Sequence, residues 1–166
     1  MSSRRATILW LLVALLVFAL GAFFSKRQEK PVEGPSWQRA VSELSDAQQK
    51  FYGTLRELLR TAEAERARNK TWPAPAGIFP EGFTLKQQGI YVNYTGVHEG
   101  LRWLVLFIEP DPRFPAEKVP EDDEHHLLSD GTMLHVTVWT QATSEPASER
   151  VTAFPAAEGW VERVRK

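Results

Sequence analysis

Residues 89–109 read GIYVNYTGVHEGLRWLVLFIE, which is typical of a β-hairpin at the centre of a sheet. The first half of this stretch is rich in β-branched and aromatic side chains, and residues 101–108 form a nearly continuous apolar run. Between the two runs, His98, Glu99 and Gly100 supply a turn. We therefore expect two antiparallel strands, the second of which is buried on both faces.

A third strand is expected over residues 132–142, after a turn at Asp130 and Gly131. Alternate side chains along a strand point to opposite faces of its sheet. One face takes Leu134, Val136 and Val138, and the other takes Met133, His135, Thr137 and Trp139. Residues 151–154 and 160–164 are weaker strand candidates, with a short terminal helix as the alternative.

An amphipathic helix is predicted over residues 37–70, with Ser36 as its N-cap. No proline interrupts residues 37–68, and apolar side chains recur there at spacings of three, four or seven. This stripe contains Val41, Leu44, Phe51, Leu55, Leu58 and Ala62. We expect the stripe to pack on the chain's own sheet. The alternative is a coiled-coil seam through residues 37–68, which would mediate self-association or recruit a partner helix.

Residues 6–24 contain no charged side chain and would span roughly 28 Å as a helix, about the thickness of the hydrocarbon core of a bilayer. Basic residues flank this segment on both sides. It is predicted to be a transmembrane anchor whose partner is the lipid bilayer, with residues 1–5 as a short cytoplasmic tail. The alternative is a signal peptide that is cleaved before Ala22.

Residues 25–36 read SKRQEKPVEGPS and form a stalk in which proline and glycine prevent a regular helix. The helical residues 37–70 and the strand-rich residues 71–166 then make one domain. We expect an α+β fold, in which an N-terminal transmembrane helix precedes a long amphipathic helix packed on a small, mostly antiparallel sheet of three to five strands. This arrangement predicts a single-pass protein of a bacterial inner membrane with its C-terminal domain in the periplasm.

Charge is divided unevenly between the N-terminal segment and the rest of the chain. Before Trp37, five basic residues stand against two acidic ones, whereas the rest of the chain holds 15 basic and 19 acidic residues. A net acidic domain argues against nucleic acid as a partner. The chain has no cysteine, which excludes disulfides, thiolate metal sites and cysteine nucleophiles.

The most unusual stretch for chemistry is a loop that ends in consecutive carboxylates and histidines. Imidazole and carboxylate groups are the ligands for Zn²⁺ in sites that lack thiolates. The candidate zinc ligands are Glu121, Asp122, Asp123, Glu124, His125, His126 and His135. The alternative is a solvated acidic loop that leads into a strand, because the spacing matches no defined zinc motif.

The sequence contains no Walker loop, no GxSxG elbow and no dinucleotide-binding GxGxxG motif. We therefore expect a non-enzymatic accessory or interaction protein, anchored in a membrane and associated with another envelope or membrane protein of a cell-envelope or transport complex. A periplasmic zinc-binding accessory that uses residues 121–126 is the second hypothesis, and an enzyme of unknown class is the third. No cofactor other than Zn²⁺ is expected.

Overall fold

The computed structural model describes residues 35–114, 119–144 and 148–165. Within these residues the chain forms one helix, seven β-strands and two short 3₁₀ turns. In chain order, the elements are β1 (Gln38–Ala40), a 3₁₀ turn (Val41–Glu43), α1 (Asp46–Asn69), β2 (Thr84–Gln88), β3 (Tyr91–His98), β4 (Leu101–Ile108), β5 (His125–Leu127), β6 (Met133–Ala142), a second 3₁₀ turn (Pro155–Glu158) and β7 (Val161–Val164).

The strands of the described residues form one mixed sheet in the order β1-β7-β6-β4-β3-β2, with β5 paired to the first residues of β6. The pair of β1 and β7 is parallel, and the other neighbouring pairs are antiparallel. The predicted hairpin is confirmed, because β3 and β4 pair along their whole length. Its two-residue turn contains Glu99 and Gly100, whose φ values of 48° and 73° match the twist of the flanking strands.

The helix α1 covers one side of this sheet, which we call the helix face, and the opposite side is the outer face. Phe51 and Leu55 of α1 share a buried core with Trp103 and Phe107 of β4. The prediction that the apolar stripe packs on the chain's own sheet is therefore confirmed, and self-association through residues 37–68 stays a prediction. A second, smaller core on the outer face contains Leu104, Leu106, Trp139 and Trp160.

The helix begins at Asp46 rather than at residue 37, so the predicted N-terminus of the helix was wrong. Ser45 is the N-cap, because its hydroxyl accepts the Gln48 N–H and the Gln48 side chain accepts the Ser45 N–H. Residues 38–40 pair with β7 instead. Their backbone groups are satisfied by a strand at the other end of the domain, which no local pattern in the sequence reports.

The predicted fold class was wrong, because the sheet is larger and more varied than three to five mostly antiparallel strands. The described residues form a seven-stranded mixed sheet with one helix of 24 residues, so this part of the chain is mostly sheet. The strands that were missed are β1, β2 and β5, which are three, five and three residues long. Such short strands hardly show a two-residue period. Of the two weaker candidates, residues 151–154 are not a strand, whereas Val161–Val164 is β7.

The expected membrane-spanning helix is also corrected. Along the described stretches of the chain, no helix is long and apolar enough to cross a bilayer. The predicted tail over residues 1–5, the predicted anchor or signal peptide over residues 6–24, and residues 25–34 of the predicted stalk lie outside the described residues. Within the described residues, the fold that the structure supports is one helix on a mixed sheet.

Gly96 of β3 lies against the buried ring of Phe83, and a Cβ atom at this position would overlap that ring. Gly96→Ala is therefore expected to lower the free energy of unfolding by about 1–3 kcal/mol, because the ring has to move. Gly53→Ala in α1 is the matched control, since nothing lies within 4 Å of the added Cβ atom. It is expected to raise the free energy of unfolding by about 0.5–1 kcal/mol. Urea unfolding measures both, and equal effects would contradict the assigned contact.

The end of α1 is tied to the turn before β6 by Lys70 and Asp130, because Lys70 Nζ donates to Asp130 Oδ2 at 2.7 Å. The Lys70 ammonium, followed by the Thr132 N–H, holds the pKa of Asp130 well below its usual range. A carboxylate with a lowered pKa stabilises the fold above its ordinary pKa, and this contribution is lost as the pH falls toward the lowered value.

Asp130→Asn is therefore expected to lower the urea midpoint at neutral pH. The difference in midpoint between the variant and the unchanged protein should shrink once the pH falls below the ordinary aspartate range. There the Asp130 carboxylate takes up a proton in the unfolded chain first, which favours unfolding of the unchanged protein. Unfolding curves at neutral pH and at strongly acidic pH measure this difference. A difference of equal size under both conditions would show that the lowered pKa does not stabilise the fold.

Candidate functional site

The seven predicted zinc ligands do not converge on one point. His125 of β5 lies directly opposite His135 of β6, so both side chains belong to the outer face. His126 is the next residue of β5 and points to the helix face, where its Nδ1 atom lies 2.5 Å from Oε1 of Glu63. The alternation of side chains along a strand therefore separates two histidines that are adjacent in sequence.

The two histidines of the outer face form a stacked pair, with ring centroids 5.1 Å apart. Oδ1 of Asp122 lies 3.0 Å from His125 Nδ1, and Oε2 of Glu124 lies 3.5 Å from His135 Nε2. Glu121 is exposed in the loop before them. Where the structure describes the chain, no group of three or more His, Cys, Asp or Glu side chains is arranged to hold a metal ion. Zinc binding stays a prediction.

On the helix face, Glu63 and His126 form a buried pair, and each residue is 6% exposed. Arg56 Nη2 donates to the backbone oxygen of Asp123 at 2.8 Å, and His126 Nε2 lies 3.2 Å from the same oxygen. These contacts attach the acidic loop to α1, so this cluster has a structural role. The sequence analysis missed Glu63, although its position four residues after Leu59 places it on the face of α1 that meets the sheet.

A groove of about 520 Å³ lies on the outer face, between β2, β3, the start of β4 and the segment that precedes β7. Its cationic lining residues are Lys86, Arg102 and Arg150, and no aspartate or glutamate is among the described residues that line it. We call this feature the basic groove. Trp160, which is almost fully buried, supplies an apolar surface beside the cations.

Hydrogen bonds hold two of the three cations in place at the basic groove. Lys86 Nζ donates to the backbone oxygen of Ser148 at 2.5 Å, and Arg102 Nη1 donates to Oε1 of Gln141 at 3.2 Å. Next to the lining, Oε2 of Glu158 accepts the hydroxyl of Thr152 at 2.9 Å.

The wall of the basic groove is fixed to the sheet through one buried amide. Asn93 of β3 is 1% exposed, and its side chain accepts the Thr152 N–H at 2.6 Å and donates to the Thr152 oxygen at 3.1 Å. This pair of bonds holds the segment before β7 over the outer face. Both polar atoms of the buried amide are therefore paired within the protein.

The sequence analysis did not find the basic groove. Its cations come from three separate segments, and β2, which carries Lys86, was not predicted as a strand. One signal was present, because Arg102 is the single charged residue inside the apolar run over residues 101–108. A charged side chain on a central strand needs a polar environment, which indicates that the outer face is open at that end.

Comparison with known proteins gives no relative for this chain. No family model matches it, and no curated protein or solved structure is significantly similar to it.

Glu63→Ala is expected to lower the free energy of unfolding by about 1–3 kcal/mol, because the change leaves a buried nitrogen of His126 without an acceptor. Glu63→Gln keeps an acceptor oxygen and should lose less. Glu57→Ala is the matched control, since Glu57 is exposed on the same helix and should change the free energy of unfolding by under about 0.5 kcal/mol. Thermal or urea unfolding measures all three variants. If Glu63→Ala were as mild as the control, the buried pair would have no stabilising role.

Proposed function

We propose that the described domain is a non-catalytic binding module that recognises an acidic segment of another protein through the basic groove. The observation that carries this proposal is the composition of the lining, in which the charged members among the described residues are Lys86, Arg102 and Arg150. From Trp37 onward the chain holds 15 basic and 19 acidic residues, so this concentration of cations runs against the general charge. Such a local positive potential attracts anionic groups whatever the net charge of the domain.

The composition of the basic groove supports binding rather than catalysis. No histidine, cysteine, aspartate or glutamate is among its described lining residues. It therefore offers neither the imidazole nor the carboxylate that most acid–base mechanisms use. The hydroxyl of Ser148 donates to the backbone oxygen of Arg150 rather than to a basic side chain, so this bond does not activate it as a nucleophile.

An acidic protein segment suits the basic groove better than nucleic acid does. Specific phosphate-backbone binding uses many cations over a long surface, whereas three line this groove. Val97, which is 53% exposed, lies at the groove together with Trp160 and adds apolar surface beside the charges. A glutamate-containing peptide uses both kinds of contact, because its carboxylates meet the cations and the aliphatic parts of its side chains meet the apolar surface.

The proposal predicts that the full chain binds a fluorescein-labelled peptide of four Thr-Glu repeats, and that a peptide of four Thr-Lys repeats does not bind. Added salt should weaken the binding, because it screens partly exposed charges. Lys86→Gln combined with Arg150→Gln should lower the affinity about tenfold, since two such ion pairs contribute about 0.7 kcal/mol each. Fluorescence polarisation measures these affinities.

Lys50→Gln combined with Arg60→Gln is the matched control, because it removes the same charge from exposed positions on α1. This double variant should bind the Thr-Glu peptide with an affinity within about twofold of the unchanged chain, since its charges lie on the other side of the sheet. Failure of the unchanged chain to bind the Thr-Glu peptide would refute the proposal. Equally tight binding of a DNA duplex would refute the assigned class of partner.

A further inference from the structure

The basic groove lies beside an edge of the sheet that, in the described parts of the chain, has no strand on its far side. Among the described residues, β2 is the last strand in the order and pairs with β3 alone. The opposite edge is formed by β1, which is three residues long, whereas β2 has five. The edge beside the groove is therefore the longer of the two terminal edges.

The hairpin geometry shows which backbone groups of β2 face outward. Gln88 pairs with Tyr91 across a two-residue turn, so this closing pair exchanges both of its hydrogen bonds. In an antiparallel ladder the next bonded position along β2 is Lys86, and the residues between bonded positions direct their N–H and C=O groups away from the partner strand. Leu85 and Gln87 therefore present two donors and two acceptors to the outside of the sheet.

Side chains on β2 alternate in the same way. Thr84 and Lys86 line the basic groove on the outer face, and Leu85 packs against the core on the helix face. A strand that added to this edge would place every second side chain on the outer face, next to Lys86. A partner strand with an acidic residue at every second position would therefore place all of its carboxylates on the outer face.

An inward-facing lysine on an edge strand also protects a sheet against unwanted pairing with the edge of another sheet. Lys86 is bent back over the outer face, where its ammonium group donates to the backbone oxygen of Ser148. Its charge disfavours an apolar or cationic strand at this edge and favours one with carboxylates. The same residue therefore selects the partner by charge.

We propose that the acidic partner binds as an added antiparallel strand on the free edge of β2. Its main chain pairs with the N–H and C=O groups of Leu85 and Gln87, and its carboxylates lie on the outer face beside Lys86. This proposal rests on the proposed function and specifies how the partner is held. Backbone pairing supplies affinity, and the alternating carboxylates supply selectivity.

The test uses two N-methylated forms of the Thr-Glu peptide with the full chain. In an antiparallel pair, residues directly opposite each other share a face, and every second opposite pair is hydrogen-bonded, which at the free edge of β2 means the pairs at Leu85 and Gln87. Threonines of the peptide then lie opposite Leu85 and Gln87, and their N–H groups donate to β2, while the N–H groups of the glutamates point away. Methylation of two central threonine nitrogens should lower the affinity at least tenfold, and methylation of two central glutamate nitrogens should change it less than threefold.

A protein variant tests the same contact from the other side. Gln87→Pro removes an outward donor without removing a bond to β3, and proline is tolerated at such edge positions. It should lower the affinity for the unmodified peptide about tenfold, whereas Gln87→Ala should stay within twofold. The urea midpoint of Gln87→Pro should lie close to that of Gln87→Ala, which shows that the fold is intact.

The outcomes separate the two proposals. If the unmodified Thr-Glu peptide does not bind, the proposed function fails. If it binds and both methylated forms bind equally well, the partner is held through its charges alone and strand addition is overturned. Loss of affinity only on methylation of the glutamates would overturn the antiparallel arrangement.

Discussion

Strand β4 is apolar on both sides, and the arrangement of the domain follows from the need to cover both of them. Trp103 and Phe107 face α1, while Leu104 and Leu106 face the other way, and all four are at most 3% exposed. Burial of apolar surface stabilises the fold by roughly 25 cal/mol for each Å², so exposure of either side of β4 to water would be unfavourable. The helix α1 covers the side of β4 that carries Trp103 and Phe107. Side chains of neighbouring strands and of the segment before β7 cover the side that carries Leu104 and Leu106.

The unequal cover of the two sides explains where the candidate site lies. A long helix shields the helix face, whereas on the outer face Asn93 holds the segment before β7 against the sheet. Beside that segment, polar and cationic side chains such as Thr95 and Arg102 replace apolar ones along the same strands. The basic groove therefore lies where the segment before β7 meets the polar ends of these strands.

Alternation along β5 also decides which acid–histidine contacts form. Consecutive histidines in a strand point to opposite faces, so His126 meets Glu63 under the helix and His125 meets Asp122 on the outer face. On the outer face, the backbone N–H of Glu124, then the ring and the N–H of His125, lower the pKa of Asp122 to about 2. The acidic and histidine residues that are consecutive in sequence therefore make separate contacts on the two faces of the sheet, and both sets of contacts order the loop.

The sequence predicted the features that depend on local periodicity. The β3–β4 hairpin, the two faces of β6 and the packing of the helix on the sheet all follow from patterns within a few residues. Long-range pairing leaves no such pattern, so β1 was included in the predicted helix and β2 was not predicted as a strand. The groove was missed for the same reason, since Lys86, Arg102 and Arg150 meet only after three distant segments pack together.

The parallel pairing of β1 with β7 brings the first and last strands of the described domain side by side at one edge of the sheet. Gln38 and Glu162 lie side by side, and their side chains share a hydrogen bond across 124 positions of sequence. Closing so long a loop lowers the conformational entropy of the chain before the stabilising contacts form. We therefore expect this pairing to form late in folding. Because synthesis proceeds from the N-terminus, residues 38–40 stay unpaired until the final strand of the domain has been made. A ribosome that stalls before β7 would therefore leave both the far edge of the sheet and the outer-face core around Trp160 incomplete, in a form that chaperones and proteases recognise.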